Sequence, residues 1–325
     1  MQKAPLVSVI VPSYNKPEYL PECLRSIQAQ TFRDWECIVV SDGSPRVEEI
    51  RAAVRAMGDN RFRLVEHEVN RGPAAARNTG VKFAKADLFL WVDEDDALDP
   101  DCLSLLLRHW RQTRADIIRP QQRNMGEPCV RRRIDPPNFP EALVRHSMHS
   151  VGFLFHRNVI LTAGWLDEAE VLKNGLEDLE WWVRVFGTKA TIKVIDDVLY
   201  YHRPPITPRH REQSQHHRGM KNAVKIGEYI VKKHAAIYRR YPKHKKGFLA
   251  RCYQLQLLSA VDRGEFLEAS SLAIHRCVLA PDAGNVRTAF YLLLRLLLGS
   301  KMYEKMLSVR RMLSFHRRKS LQDGE

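Results

Sequence analysis

The sequence predicts an α/β fold: a doubly wound, mostly parallel sheet followed by a basic α-helical extension. Three observations carry this. Short β-branched runs alternate with stretches of helical spacing, one of those runs ends in four consecutive acids, and the charge balance changes sharply after Arg203. A chain of 325 residues exceeds one ordinary domain, and 44% hydrophobic residues supply ample core material.

Leu6–Pro12 is apolar and β-branched, as a strand buried on both faces requires. Ser13–Pro17 turns the chain, and Glu18–Gln30 then brings Leu20, Cys23, Leu24 and Ile27 onto one helical face. Trp35–Val40 and Phe62–Glu66 read as the next strands, ending in Ser41-Asp42-Gly43-Ser44 and Asn70-Arg71-Gly72. Pro73 suits the first turn of a helix running to about Ala84. Leu88–Val92 is the fourth strand. Such alternation implies a parallel sheet with right-handed crossovers, whose ligands bind beyond the carboxyl ends of the strands. Pro12, Tyr14, Asp42 and the acids Asp93, Glu94, Asp95 and Asp96 therefore share one rim.

Those four acids repel one another, and oxygen-only ligands of this kind suit Mg²⁺ or Mn²⁺ completed by phosphate and water. A solvated acidic turn leading into the next helix is the alternative reading of the same residues. Farther on, Asp101–Arg111 is expected as an amphipathic helix and Asp116–Ile118 as a strand. Gln121–Pro140, with Arg131-Arg132-Arg133, reads as an exposed loop or edge hairpin. Val151–Phe155, Ile192–Ile195 and Val198–Tyr201 read as further strands. This body, residues 1–205, divides at about residue 100 into two halves.

Residues 206–325 are different in kind. From Pro204 onward 24 Lys/Arg face 9 Asp/Glu, whereas the preceding residues hold 28 against 29. A near-neutral body thus carries a strongly basic tail, which points to an anionic partner for the tail. Lys221–Arg240 and Phe248–Val261 read as helical, and Gly264–Pro281 as a helical hairpin. Beyond Gly299, Met302, Met306, Val309 and Leu313 form a stripe ringed by Lys and Arg. That pattern suits a helix lying on an anionic membrane face, or a terminal helix packed on the body. No aromatic-basic interleaving speaks for nucleic acid. Six cysteines without metal-ligand or C-x-x-C spacing read as reduced thiols in a cytoplasmic protein. Met1–Pro5 is too short for a signal peptide, and no apolar run approaches the roughly 20 residues of a membrane span.

In chain order, Val7–Asn15, Ile38–Ser44, Asn70-Arg71-Gly72 with Ala76–Gly80, and Trp91–Asp96 resemble a family 2 glycosyltransferase. That family has the GT-A nucleotide-sugar fold, and the resemblance extends from about Val7 to Arg203. It implies that Pro12, Tyr14 and Asp42 hold the donor's base and ribose. Arg77 of the A-x-x-R-N segment would position the donor's base and diphosphate. Asp93 and Asp95 of the D-x-D motif would face the ribose and the metal. Gly164–Glu168 followed by Gly175–Arg184 resembles the family's G-x-x-D-E and E-D-x-x-x-W-x-x-R segments, which makes Asp178 the catalytic base. Read from the residues alone, Asp178 could equally be a helix-capping acid and Arg77 a solvated helix-face residue. Glu177, Trp181 and Trp182 are candidates on the acceptor side, with core packing the competing reading for both tryptophans. His202 and His210 are candidate metal ligands after the aromatic-aromatic segment Tyr200-Tyr201, although Pro204-Pro205 interrupt the usual spacing.

The resemblance implies transfer from a nucleotide donor, a UDP-sugar, to a growing glycan or lipid-linked saccharide. It further implies Mn²⁺ or Mg²⁺ and inversion by direct displacement, with the protein peripheral on the inner face of the cytoplasmic membrane. A basic nucleic-acid-binding protein and a catalytically silent sugar-nucleotide binder are the rival expectations.

Overall fold

The computed structural model describes residues 4–127, 133–144, 151–173, 175–204 and 219–293. Its first half follows the alternation read from the sequence. Strand β1 (Val7–Ser13) leads to helix α1 (Leu20–Gln28), β2 (Trp35–Asp42), α2 (Val47–Ala56), β3 (Phe62–His67), α3 (Pro73–Phe83) and β4 (Leu88–Trp91). After these come β5 (Ala97–Leu98), α4 (Cys102–Thr113), β6 (Ile117–Asn124), β7 (Leu154–His156), α5 (Arg157–Ala163), α6 (Glu177–Gly187) and β8 (Ile192–His202).

Among the described residues these strands form one sheet in the order β3-β2-β1-β4-β7-β6-β8-β5. The pairs around β1 are parallel, with Val7 opposite Trp35 and Leu88, and Ile10 opposite Ile38 and Trp91. The short β7 runs antiparallel to both β4 and β6, so a parallel first half joins a second half built on β6 and β8. Every residue of β2 is buried, and α1 turns Leu20, Cys23, Leu24 and Ile27 onto the sheet at helical spacing. Helix α3 lies closest to the sheet. A methyl group on Gly80 would stand 2.2 Å from Ile10 Cγ2, so a residue without a Cβ is required at that crossing.

Three expectations are corrected. Strand β6 continues through Asn124, where an exposed loop was expected from Gln121. Gln121 is buried because its amide satisfies main chain on both sides: Nε2 donates to Ile134 O and Ile195 O, and Oε1 accepts from Ile134 N. Pro120 brings no N–H, and it falls where the β6–β8 register shifts between Arg119 and Gln121. Strand β8 is one continuous strand where two were expected. The strand expected from Val151 begins at Leu154. Arg131 and Arg132 lie outside the described residues, while Arg133 is a surface residue paired with Asp196.

The later helices are α7 (Ala223–Lys233), α8 (Ala235–Arg240), α9 (Pro242–Asp262) and α10 (Phe266–Leu279), with residues 283–293 also helical. Helices α9 and α10 pair as a hairpin across Gly264, whose φ of +76° suits glycine, whereas Gly264–Pro281, expected to be a hairpin by itself, holds the single helix α10. Met1–Gly219 with His234–Ile237 forms one compact unit, and Met220–Lys233 with Tyr238–Glu325 a second. No helix among the described residues is long and apolar enough to cross a membrane. Residues 209–218, with the candidate ligand His210, and the expected amphipathic stripe beyond Gly299 lie outside the described residues.

Candidate active site

The acids at the carboxyl end of β4 alternate in direction. Asp93 and Asp95 keep 37% and 25% of their side chains exposed, while Glu94 and Asp96 are buried at 7% and 1%. Glu94 turns toward the end of β1: its carboxylate accepts from Ser13 Oγ and, at 3.0 Å, from Tyr14 N. Burial pushes the Glu94 carboxyl up to about 7, against the pull of those two donors. The middle residue of D-E-D is therefore a strut between two strand ends.

Asp96 turns the other way, toward β8. It accepts from Tyr200 Oη at 2.5 Å and Arg203 N at 2.8 Å, and His202 Nδ1 lies 3.2 Å away. Burial raises its carboxyl, and His202 opposes the rise. Tyr200 Oη also accepts from Asp93 N, so β8 holds the turn at two points. His202, a candidate metal ligand by sequence, thus directs Nδ1 to Asp96.

The outward pair faces cations. Asp95 Oδ2 meets Lys16 Nζ at 2.7 Å. Burial works against the Lys16 ammonium, but Asp95, with Glu94 and Asp93 behind it, more than offsets this and raises its pKa. Asp93 Oδ1 accepts from Arg77 Nη2 at 2.9 Å, and Arg77 Nη1 donates to Glu177 Oε1 at 2.5 Å. Arg77 is 3% exposed on α3, so it is not the solvated residue that its sequence position alone allows. One buried guanidinium joins the D-x-D turn to the start of α6. It stays charged because the two acids outweigh its desolvation, and the nearby face of Trp91 adds to this.

At α6 the chain passes through Leu176 with φ +64°, and Glu177 and Asp178 occupy the first two helical positions. Asp178 is half-buried and does not occupy the cap position. Glu177 is fully enclosed; burial raises its carboxyl, Arg77 counters this, and the Asp178 charge adds to the rise. Beneath them lies Arg119 of β6, 0% exposed. It donates to Val151 O, and burial lowers its pKa to about 9 against the fields of Tyr200 and Asp178.

The residues expected on the donor side lie at the ends of β1 and β2. Pro12 and Tyr14 are half-buried. Asp42 is 3% exposed, and both of its oxygens are engaged by the protein: His67 Nδ1 at 2.7 Å, Arg71 N at 3.0 Å and Gly72 N at 2.7 Å. It thereby fixes the turn that feeds α3. Trp181 and Trp182, expected as acceptor-side candidates, are corrected: both are 0% exposed and pack among Trp91, Phe153 and Phe155, leaving no face for a sugar.

Sequence reasoning missed Lys16, Arg119 and Tyr200 as parts of this site. Lys16 was open to detection, since it follows the first strand on the binding rim. Arg119 looked like one more basic residue on a strand. Tyr200 was visible only as part of an aromatic pair.

The exposed acids fit a hard divalent cation. Among the described residues no group of three or more His, Cys, Asp or Glu gathers around one point. Two carboxylates with open solvent beside them match an ion that completes its shell with phosphate and water.

The sheet, its rim acids and the added β6–β8 half define a GT-A type transferase fold. Residues 8–158 match the family model of glycosyl transferase family 2. The chain is 30% identical over 213 residues to the uncharacterized glycosyltransferase EpsJ of Bacillus subtilis, covering 61% of each. It is 36% identical over 91 residues to WfgD of Escherichia coli, a UDP-Glc:alpha-D-GlcNAc-diphosphoundecaprenol beta-1,3-glucosyltransferase, covering 28% of this chain and 35% of WfgD. The chain therefore spans less than two thirds of these relatives. Among solved structures, Staphylococcus aureus TarS 1-349 in complex with UDP-GlcNAc superposes with TM-score 0.54 at 18% identity, covering 90% of this chain and 92% of TarS. The mannosyltransferase PcManGT of Pyrobaculum calidifontis, in complex with GDP-Man and Mn²⁺, gives TM-score 0.56 at 18% identity, covering 99% and 89%. At that identity both likenesses concern the fold.

Proposed function

We propose that this protein is a metal-dependent glycosyltransferase that moves a sugar from a UDP-sugar to a saccharide or lipid-linked saccharide by a single inverting displacement. The observation that carries this reading is the double ion pair of Arg77, which brings the D-x-D turn and the Glu177-Asp178 pair into one site. The uridine donor is supported by the donor printed in WfgD's name and the ligand bound to TarS. The lipid-linked acceptor is supported by the diphosphoundecaprenol in WfgD's name.

Asp178, half-buried at the second position of α6, has the access to solvent that a general base needs. It takes the proton from the acceptor hydroxyl as that oxygen attacks the sugar carbon opposite the departing nucleotide. Arg77 holds the neighbouring Glu177 at the start of the same helix. Asp93 and Asp95 would hold Mn²⁺ or Mg²⁺, which would supply positive charge for the leaving diphosphate. Pro12 and Tyr14 wall the base and ribose, and Asp42 holds the Asn70–Gly72 turn beside them. Residues 1–205 serve this chemistry. The basic stretch after residue 205 holds the protein against an anionic membrane surface, on the inner face of the cytoplasmic membrane.

Nucleotide release from a panel of UDP- and GDP-sugars, with Mn²⁺ and with EDTA, tests the reading directly. Release should require the metal and one UDP-sugar. Asp178→Asn is expected to lower turnover by roughly a hundredfold or more while donor affinity stays within about twofold. Asp95→Ala should instead weaken metal-dependent donor binding. Near-wild-type turnover in Asp178→Asn removes the base assignment.

A further inference from the structure

Lys16 lies outside every motif that identifies the site, yet its ammonium rests on the carboxylate best placed to bind a metal. The position is built. Asn15, with φ +60°, anchors its N–H on Ser44 Oγ at 3.2 Å, and Pro17 behind it is buried, so the turn after β1 aims residue 16 at the D-x-D segment. Lys16 Nζ reaches Asp95 Oδ2 at 2.7 Å with both side chains about a third exposed or less. Glu94 fixes the far side of the same arrangement, by accepting from Ser13 Oγ and Tyr14 N just before Asn15 and Lys16 complete the turn.

We propose that Lys16 is a tethered cation that competes with the divalent metal for Asp95 and so sets how tightly this site holds its ion. This rests on the metal reading above. A divalent ion on Asp95 must either displace the ammonium or sit within a few ångströms of it, and both options weaken metal binding. The pair is compact and cationic on one side, so its removal leaves Asp95 with its full charge for the metal. The metal then depends on the donor: an ion arriving with a diphosphate brings a multiply charged anion that rewards both cations at once, whereas an ion alone must overcome Lys16.

The test is Mn²⁺ affinity without any turnover, read by the loss of the free Mn²⁺ EPR signal in wild type, Lys16→Met, Lys16→Arg and Arg46→Met, each with and without UDP. Arg46 is the control for general charge, because it pairs with Glu18 and Glu49 on the same rim and does not touch Asp95. Lys16→Met is expected to bind Mn²⁺ roughly fivefold tighter than wild type in the absence of UDP. Lys16→Arg, which keeps the charge, should stay near wild type, and Arg46→Met should stay within about twofold. Unchanged or weaker binding in Lys16→Met overturns the proposal, and so does equal tightening in Arg46→Met. Absence of Mn²⁺ binding from all four proteins, even with UDP, rejects the metal reading itself.

Discussion

Glu94 shows how a single residue can sit inside a motif without sharing its chemistry. Its neighbours face solvent and cations, while its own carboxylate is enclosed and tied to Ser13 and Tyr14. With a carboxyl near 7 against an ordinary 4.5, the folded protein keeps this proton over a range where the unfolded chain has released it. The sign follows from linkage. Below about 4.5 both states are protonated and Glu94 contributes no pH dependence. Between 4.5 and about 7 only the native state holds the proton, so stability falls as pH rises, and above about 7 the deficit is constant. The whole effect is on the order of 3–4 kcal/mol. Glu94→Gln keeps the acceptor for Tyr14 N but cannot ionise. Urea unfolding at pH 5 and pH 8 should show the variant losing less stability than wild type across that interval. An equal loss in both proteins assigns the pH dependence to other groups.

Helix α3 is the element on which the two halves of the site depend, since it carries Arg77 and approaches the sheet at Gly80. Its pattern was legible: Pro73 marked the first turn, and the A-x-x-R-N segment marked the functional face. Its depth was not, because nothing in the spacing says that Arg77 is enclosed between Asp93 and Glu177. The four strands of the first half were equally open to reading, because strands buried on both faces are continuous apolar runs. Strand β6 escaped for the opposite reason. Gln121 and Gln122 look like loop residues until the main-chain groups that satisfy Gln121 are known, and those come from residues 134 and 195, far along the chain. Glycine-to-alanine changes inside helices usually stabilise by up to about 1 kcal/mol. At Gly80 the sign is set by contact instead. The new methyl would meet Ile10 Cγ2 at 2.2 Å and Cγ1 at 3.1 Å, and Ile10 is wholly buried in the central strand. Gly80→Ala is therefore expected to cost roughly 1–3 kcal/mol, seen as a lower urea midpoint with an unchanged slope. A raised midpoint means that β1 yields more easily than its packing implies.

At the scale of the whole molecule the charge is separated along the chain. The residues before Pro204 sum to −1 and those from Pro204 onward to +15. A catalytic body of neutral balance has no general attraction to anions, so any surface recruitment must come from the tail. Juxtaposed basic residues contribute about 1 kcal/mol each at an anionic lipid surface, and the effect decays within a Debye length of about 10 Å at 0.1 M salt. Residues 299–325 hold seven Lys/Arg against three Asp/Glu, so a chain ending at Leu298 keeps most of the tail's charge but loses its last dense cluster. Full-length protein should co-sediment with phosphatidylserine vesicles at 0.1 M salt and largely dissociate at 0.5 M, and it should ignore phosphatidylcholine vesicles. The shortened chain should bind the same anionic vesicles at least about tenfold more weakly, given the four net charges removed. Competition with double-stranded DNA separates lipid from nucleic acid as the anion preferred. Unchanged sedimentation of the shortened chain excludes residues 299–325 as the contact, and vesicle binding abolished by DNA at low stoichiometry favours a nucleic-acid partner for the tail.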